Sequence, residues 1–367
     1  MSEGSRLLEC LLKVSEKAAN IARVCRQNRQ LFKLLVQEKS DEEKNPRFVQ
    51  DFKTLADVLI QETIKHDVGT EFPDLAEHVT GEENNTFSNT LGESVTVKVC
   101  SNFDDTANLL EKVLNNDSEV ANLLAVEVHR EIQLSDVPGN NHVPDNLKLT
   151  TDALGIWIDP IDSTAEYIHG VEKVDEVTGV HLSGLRCVTV LIGVFEKTTG
   201  RPVLGVINQP FHNNTCDSEW LGSTYWGFNY NGVRLSSISG PEPSRNVAVL
   251  SSSESAGIKS KLSENGFTLV EAAGAGYKLL TVILGQSDIY ILSKDSTFKW
   301  DTCAAQAILG SLEGGVIDFR NFLKTDSSND SNLIYLPADN DSCNRGGIVA
   351  YRNIEILESI KKILLSH

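Results

Sequence analysis

The chain has 367 residues, 40% hydrophobic and 23% charged, with a formal net charge of -18 at pH 7, a field that excludes duplex nucleic acid and an anionic membrane leaflet as general partners. No stretch approaches the roughly 18 continuous apolar residues of a membrane span, and no apolar core follows Met1-Ser2-Glu3-Gly4-Ser5-Arg6. The seven cysteines, Cys10, Cys25, Cys100, Cys187, Cys216, Cys303 and Cys343, are scattered and never spaced as CxxC, which argues against a disulfide framework or zinc knuckle; a soluble cytoplasmic protein is expected, and the length suits one large domain or two lobes sharing a cleft.

Leu7, Leu8, Leu11, Leu12, Val14 and Ala18 recur at helical spacing, and the pattern runs on through Leu31, Leu34 and Leu35 until the charged stretch Glu38 to Lys44 breaks it. A second helix is predicted from Phe48 to Lys65, with Phe52, Leu55, Ala56, Leu59 and Ile60 on one face and Asp57 beside that stripe. Gly81 to Thr90 is polar and turn-like. Val95, Val97 and Val99 predict a strand, and Asn108 to Val113 and Val120 to Val128 predict helices. From Gly155 strands become frequent: Ile156 to Ile158, Cys187 to Phe195, Val203 to Ile207, and Thr224 to Leu235 broken by the hairpin pair Asn231-Gly232. The rest alternates. Strands are predicted at Val247 to Leu250, Phe267 to Val270, Ile289 to Leu292, Val316 to Phe319 and Gly347 to Tyr351. Helices are predicted at Ala256 to Ser263, Tyr277 to Leu284, Thr302 to Leu312 and Ile354 to Leu365, with polar loops at Lys324 to Asp330 and Ala338 to Asn344. This alternation supports a layered α/β architecture.

The chemistry concentrates in Asp159-Pro160-Ile161-Asp162-Ser163-Thr164, which follows the apolar run Gly155-Ile156-Trp157-Ile158. Two carboxylates three residues apart stand where a buried strand is predicted to stop, and such oxygens suit Mg²⁺. An Asp N-cap before a polar turn accounts for the same hexapeptide equally well. Taken alone, Asp301 ahead of the apolar run Ala304 to Leu309 reads as an N-cap, and Glu82-Glu83 after Gly81 reads as a solvated pair. Together with Asp57 they supply enough carboxylates for two Mg²⁺ ions, and clustered carboxylates in an acidic protein need a divalent metal to reverse the sign of the site. No HxH or HExxH pattern is present, which disfavours a zinc hydrolase, and no GxxxxGKS or GxGxxG supports ATP or dinucleotide binding.

Gly81-Glu82-Glu83, Trp157-Ile158-Asp159-Pro160-Ile161-Asp162-Ser163-Thr164 and Trp300-Asp301-Thr302-Cys303-Ala304-Ala305 together resemble the signature of the lithium-sensitive, Mg²⁺-dependent sugar phosphatases related to inositol monophosphatase. Four further segments bring the likeness nearest to the branch acting on inositol polyphosphates: Phe52-Lys53-Thr54-Leu55-Ala56-Asp57, Gly205-Val206-Ile207-Asn208-Gln209-Pro210-Phe211, Ala272-Ala273-Gly274-Ala275-Gly276-Tyr277-Lys278 and Asp288-Ile289-Tyr290-Ile291. The resemblance spans nearly the whole chain in order.

It implies an α/β fold, a layered αβαβα sandwich of the sugar phosphatase type. An N-terminal α+β lobe, residues 1–235, would carry most metal ligands, and a C-terminal α/β lobe, residues 236–367, would carry the substrate-binding residues and the last ligand. Glu82, Asp159 and the Ile161 carbonyl would hold one Mg²⁺. Asp159, Asp162 and Asp301 would hold a second, with Glu83 supporting the first. Asp57, Thr164 and Glu82 would be catalytic, and Asp57 and Thr164 would also form the region where Li⁺ inhibits. Substrate contacts would come from Asp162, Ser163, Thr164, Ser253, Gly274, Ala275, Lys278 and Ser296. One departure concerns substrate binding: the family pattern has a lysine two residues after the position of Ser253, whereas this chain has Ser255, leaving Lys259 and Lys261 as candidates to replace it.

The implied function is hydrolysis of the 1-phosphate of inositol 1,4-bisphosphate and inositol 1,3,4-trisphosphate by a cytoplasmic monomer in phosphatidylinositol signalling, with no nucleic-acid or membrane partner. The alternatives are a 3'(2'),5'-bisphosphate nucleotidase with the same metal motifs, and a Mg²⁺-binding regulator that kept the fold.

Overall fold

The computed structural model describes residues 1–27, 36–39, 52–88, 93–139, 142–215, 219–239, 244–324, 331–336 and 342–366. The chain opens with α1 (Glu3–Gln27), which buries Leu7, Leu8, Leu11, Leu12, Val14 and Ala18 as its periodicity requires. Leu31, Leu34 and Leu35, predicted as its continuation, lie outside the described residues. β1 (Val36–Glu38) pairs antiparallel with β2 (Phe52–Thr54). The helix predicted from Phe48 therefore starts later, as α2 (Leu55–Glu71). A capping box sets that start: the Asp57 amide donates to Thr54 Oγ1 (3.3 Å), and Asp57 Oδ2 accepts from the Thr54 amide (2.7 Å).

β3 (Val79–Gly81) and the ribbon of β4 (Thr86–Ser88) and β5 (Ser94–Thr96) lead to α3 (Phe103–Val113) and α4 (Ser118–His129). The Asn102 and Asp117 side chains cap these two helices, so α3 begins well before the predicted Asn108. Next come β6 (Leu154–Asp162), α5 (Thr164–His169), the ribbon of β7 (Lys173–Val174) and β8 (His181–Ser183), then β9 (Thr189–Glu196), β10 (Pro202–Asn214), β11 (Trp220–Tyr230) and β12 (Val233–Ser236). Asn231 and Gly232 both take positive φ, 49° and 79°, as the predicted hairpin demands.

The rest alternates as the pattern predicts: β13 (Val247–Leu250), α6 (Ala256–Glu264), β14 (Thr268–Glu271), α7 (Ala275–Ile283), β15 (Ile289–Leu292), α8 (Lys299–Ser311), β16 (Gly315–Asp318), the unpredicted α9 (Phe319–Lys324), β17 (Ile348–Tyr351) and α10 (Ile354–Leu365). The two predicted polar loops fall largely outside the described residues.

Two sheets organise these elements. The first has the order β12-β11-β10-β9-β6-β3 and is antiparallel except for the β3–β6 pair. The second has the order β14-β13-β15-β17-β16; β13 runs parallel to both neighbours and β17 antiparallel to both of its own. α1 and α2 cover one face of the first sheet, where Leu8 and Leu59 share a core with Ile156 and Val206. α7 and α8 fill the space between the sheets: Leu280 and Ile308 share a core with Leu191 and Ile207 on one side and with Val249 and Tyr290 on the other. α6 and α10 close the far face, where Leu262, Leu357 and Ile360 meet Ala248 and Leu250. Strand alternation divides β13 between the two cores, Val249 inward and its neighbours outward. The result is an αβαβα sandwich.

α8 lies unusually close to the first sheet, because a row of glycines makes room for it. Gly193, Gly205 and Gly227 are register partners across β9, β10 and β11. A Cβ on Gly193 would come within 2.5 Å of the Ala304 amide nitrogen, one on Gly205 within 2.1 Å of the Ala304 carbonyl oxygen, and one on Gly227 within 2.7 Å of the Ile308 Cα. Backbone cannot yield as a flexible side chain can, so these strands accept α8 only while the row stays free of side chains. Gly205→Ala is expected to cost about 2–3 kcal/mol in denaturant-midpoint measurements. Gly257→Ala on α6, whose added methyl meets nothing within 4 Å, is expected to be neutral or to stabilise by up to about 1 kcal/mol. Equal effects at the two positions would contradict this packing.

Candidate active site

The site is built on the end of β6, which is buried along its whole length. The predicted strand end at Ile158 is corrected here, since pairing with β9 continues to Asp162. Asp159 pairs with Leu191 and Asp162 with Thr189, so three steps on β6 oppose two on β9. In a regular strand, residues three apart point to opposite faces. The extra residue is a bulge, and it turns Asp159 and Asp162 toward the same cleft. Pro160 sits inside it, where the loss of a ladder donor costs least. Ser163 then adopts the left-handed region (φ 74°) before the short helix α5.

Each remaining carboxylate has its own support. β3 runs parallel to β6, and the Glu82 amide donates to the Ile158 carbonyl (3.1 Å), which places Glu82 alongside Asp159. The Glu83 amide donates to Gln61 Oε1 (2.9 Å), and Gln61 Nε2 donates back to the Glu83 carbonyl. Asp57 and Asp301 are each three residues past an N-cap. Asp301 Oδ2 accepts from the Phe298 amide (2.5 Å), so the cap reading is corrected: α8 starts at Lys299, and Asp301 reaches back to close its first turn. Asp57 Oδ2 also accepts from the Thr54 hydroxyl (2.5 Å), while Thr164 Oγ1 lies 3.4 Å from Asp57 Oδ1 and 3.2 Å from the Ile161 carbonyl oxygen.

Asp162 ties the two sheets together at the cleft. Its carboxylate accepts from the Ala275 (3.2 Å) and Gly276 (3.0 Å) amides at the start of α7, where free N–H groups and the helix dipole favour an anion. Gly274 takes φ 73°, and a Cβ there would come within 2.8 Å of Asp162 Oδ2. The Gly274-Ala275 pair, singled out as a substrate contact, thus gives its Ala275 amide to Asp162. Lys278 is buried, and its ammonium donates to the carbonyls of Ala272 (3.0 Å) and Gly274 (2.5 Å).

A cleft of about 370 Å³ opens over these groups, lined by Glu82, Asp159, Asp162, Ser163, Thr164, Gly274, Ala275, Lys278, Ser296 and Asp301. Ser252 rather than Ser253 lines it; Ser253 Oγ lies 3.0 Å from Ser251 Oγ. Ser255 caps α6 by accepting from the Ile258 amide (3.3 Å). Lys259 reaches the cleft-lining Ser252 and Glu271, whereas the Lys261 ammonium donates to the carbonyls of Leu364 and Ser366.

Sequence reasoning missed Lys39, whose ammonium stands 2.6 Å from both Glu82 Oε1 and Glu83 Oε1. It was visible only as part of a helix-breaking charged stretch, and nothing local links it to a pair 43 residues away. Phe52 and Phe298 also line the cleft, a position that the helical stripe around Phe52 and the motif around Phe298 do not reveal.

Asp159, Asp162 and Asp301 bring ligand oxygens within 4.8 Å of one another. Burial pushes all three up from the ordinary carboxylate range, and mutual repulsion adds to this, with Glu82 acting on Asp159 and Asp162 acting on Asp301; Asp162 rises to about 6, held back by Lys278 and the Gly276 amide. Burial raises Asp57 to about 6 against its Thr54 hydrogen bonds, and burial and then the charge of Glu82 raise Glu83 to about 8. Asp159 Oδ1 is buried and has no hydrogen-bond partner among the described residues. An oxygen-only donor set with a buried carboxylate oxygen left over fits hard divalent cations.

The sandwich and this oxygen-only cluster suit a metal-dependent phosphatase, the class to which the family pattern assigns the chain. More narrowly, the chain belongs to the inositol monophosphatase family, whose pattern matches residues 7–337. It is 43% identical over 394 residues to the inositol polyphosphate 1-phosphatase of Bos taurus, covering 99% of this chain and 98% of that protein. The 3'(2'),5'-bisphosphate nucleotidase 1 of Dictyostelium discoideum is 32% identical, over 48% of this chain and 55% of that protein. Among solved structures, the extragenic suppressor protein suhB of Bartonella henselae superposes with a TM-score of 0.56 at 14% identity, covering 98% of this chain and 99% of that one, a likeness of fold.

These carboxylates have folded-state pKa values above their ordinary 3.8 or 4.5, reaching about 8 for Glu83. The folded state therefore binds more protons than the unfolded one, and this contribution to stability is present below the ordinary values and lost as pH rises through the folded ones. With divalent cations chelated, the thermal midpoint is expected to fall between about pH 5 and pH 8, and the gain on adding a divalent cation such as Mg²⁺ to be larger at the higher pH. Asp159→Asn should shrink that pH-dependent gain. A Mg²⁺ gain independent of pH would contradict the electrostatics described.

Proposed function

We propose that the protein is a phosphoric monoester hydrolase that removes the 1-phosphate of inositol 1,4-bisphosphate and inositol 1,3,4-trisphosphate, within phosphatidylinositol signalling. The observation that carries this reading is the likeness over 99% of the chain to an inositol polyphosphate 1-phosphatase, joined to a cleft lined by Glu82, Asp159, Asp162 and Asp301.

In this reading Mg²⁺ is the metal. Glu82, Asp159 and the Ile161 carbonyl would hold one ion and Asp159, Asp162 and Asp301 the other, Asp159 serving both and Glu83 supporting the first. Such a pair supplies Lewis acidity at the phosphoryl oxygens and lowers the pKa of bound water. The protein's own groups do the positioning. Thr164 Oγ1 can donate to Asp57 Oδ1, which leaves its lone pairs to accept a hydrogen bond from the attacking water and fix its orientation; a proton lost by the water would pass through the hydroxyl to the Asp57 carboxylate. The Ser163 and Thr164 amides would meet the phosphate, and Gly274, Ala275, Lys278 and Ser296 would be the substrate contacts carried over from the family, with Ser252 in the place expected of Ser253. Li⁺ would compete beside Asp57 and Thr164. We take residues 1–235 and 236–367 as the two lobes, and the chain as a cytoplasmic monomer. The free thiols of Cys10, Cys25, Cys100, Cys187, Cys303 and Cys343 suit a reducing compartment.

With Mg²⁺, the protein should release phosphate from inositol 1,4-bisphosphate, be inhibited by Li⁺, and turn over adenosine 3',5'-bisphosphate poorly. Faster release from the nucleotide would favour the nucleotidase, and no release from either would leave the regulatory reading. Asp57→Asn should lower kcat by about 10²–10⁴-fold while Mg²⁺ affinity, read by calorimetry, stays within a few-fold. Unchanged kcat would remove Asp57 from the chemistry.

A further inference from the structure

An inositol polyphosphate brings at least one phosphate that is not cleaved, and among the described residues the cations at the cleft are few, with Lys39 already held between Glu82 and Glu83. The acidic residues lining it are Glu82, Asp159, Asp162, Glu166, Glu271 and Asp301; among the described residues the lining cation is Lys278. Its ammonium is buried and donates to two backbone carbonyls, so reaching outward would strip those carbonyls of a charged donor.

The rim offers a second ammonium. Lys259, in the first turns of α6, donates to the Ser252 carbonyl (2.9 Å) and to Glu271 Oε1 (2.6 Å), and both of these residues line the cleft. The ion pair is open to solvent, with side-chain exposures of 23% for Lys259 and 46% for Glu271. Exposed pairs of this kind hold weakly. A phosphate dianion offers the same ammonium more charge and three acceptor oxygens. Neighbouring groups do not compete for this role: the Ser255 hydroxyl is engaged as the N-cap of α6, and the Lys261 ammonium is engaged at the C-terminal end of the chain.

We propose that Lys259 exchanges Glu271 for the uncleaved phosphate and so selects inositol polyphosphates, with Glu271 holding the lysine at the rim until such a phosphate arrives. This deepens the functional reading above and rests on it. Glu271 has a cost as well as a use, since it also repels the incoming anion. Replacing it should therefore act opposite to replacing Lys259.

The test is steady-state phosphate release from inositol 1,4-bisphosphate by the full chain with Mg²⁺, together with product inhibition by inorganic phosphate, a competitor for the cleaved-phosphate position. Lys259→Met should raise KM about ten-fold, as expected for loss of one charge-assisted hydrogen bond, and leave kcat and the inhibition constant for phosphate unchanged. Lys259→Arg should restore most of the affinity, Glu271→Gln should lower KM, and Lys261→Met should change nothing. An unchanged KM in Lys259→Met, or a parallel rise in KM and in the phosphate inhibition constant, would overturn the assignment of Lys259 while leaving the enzyme reading intact. A wild-type protein that releases no phosphate from this substrate would overturn both.

Discussion

The constraint on which the rest of the structure depends is the burial of like charges. Asp57, Glu83, Asp159, Asp162 and Asp301 are each less than a tenth exposed, and several lie close enough to repel one another. A buried, unpaired carboxylate is among the least favourable groups a protein can hold. The chain meets that cost one group at a time. Asp57 and Asp301 take on the capping of α2 and α8, Asp162 takes the amides at the start of α7, and Glu83 takes Lys39. Glu83 Oε1 and Asp159 Oδ1 are both buried without a hydrogen bond among the described residues, but Glu83 Oε1 faces the Lys39 ammonium, whereas Asp159 Oδ1 faces no cation among those residues. A hard divalent cation would fit that position, and the supports around it hold the other carboxylates toward it.

Precision at the site follows from backbone devices more than from side-chain packing. The bulge between Asp159 and Asp162 converts a three-residue spacing into a shared direction. The glycine row through Gly193, Gly205 and Gly227 lets α8 settle onto the first sheet, which fixes where Asp301 emerges. Gly274 clears space for Asp162 to meet α7. These features lie at the meeting of the two sheets, so a small displacement of either would separate the donors. A preorganised site of this kind must be held rigid before substrate arrives.

Much of this was legible in the sequence, and what was not has physical causes. The alternation after Val247, the Asn231-Gly232 hairpin and the amphipathic face of α1 follow from periodicity and turn chemistry, and the structure carries them. The carboxylate motifs were legible as a set because their residue types are unusual beside buried strands. The start of α2 was not, because Phe52 continues the helical stripe and only the Thr54–Asp57 capping box reveals the break. The run of β6 past Ile158 was hidden by Pro160, which reads as a terminator unless a bulge is known to hold it. The meeting of Lys39 with Glu82 and Glu83, and of Asp162 with α7, depends on long-range pairing that no local window contains.

The central claim is that the carboxylates at the end of β6 are arranged around divalent cations. Anomalous diffraction from crystals soaked in Mn²⁺, a hard cation that stands in for Mg²⁺ with a usable signal, tests it most directly. The account predicts one peak bounded by Asp159, Asp162 and Asp301 and a second between Asp159 and Glu82, with the Lys39 ammonium displaced from Glu82. A cleft without a peak among these carboxylates at saturating Mn²⁺, or a peak bound only by other residues, would contradict it.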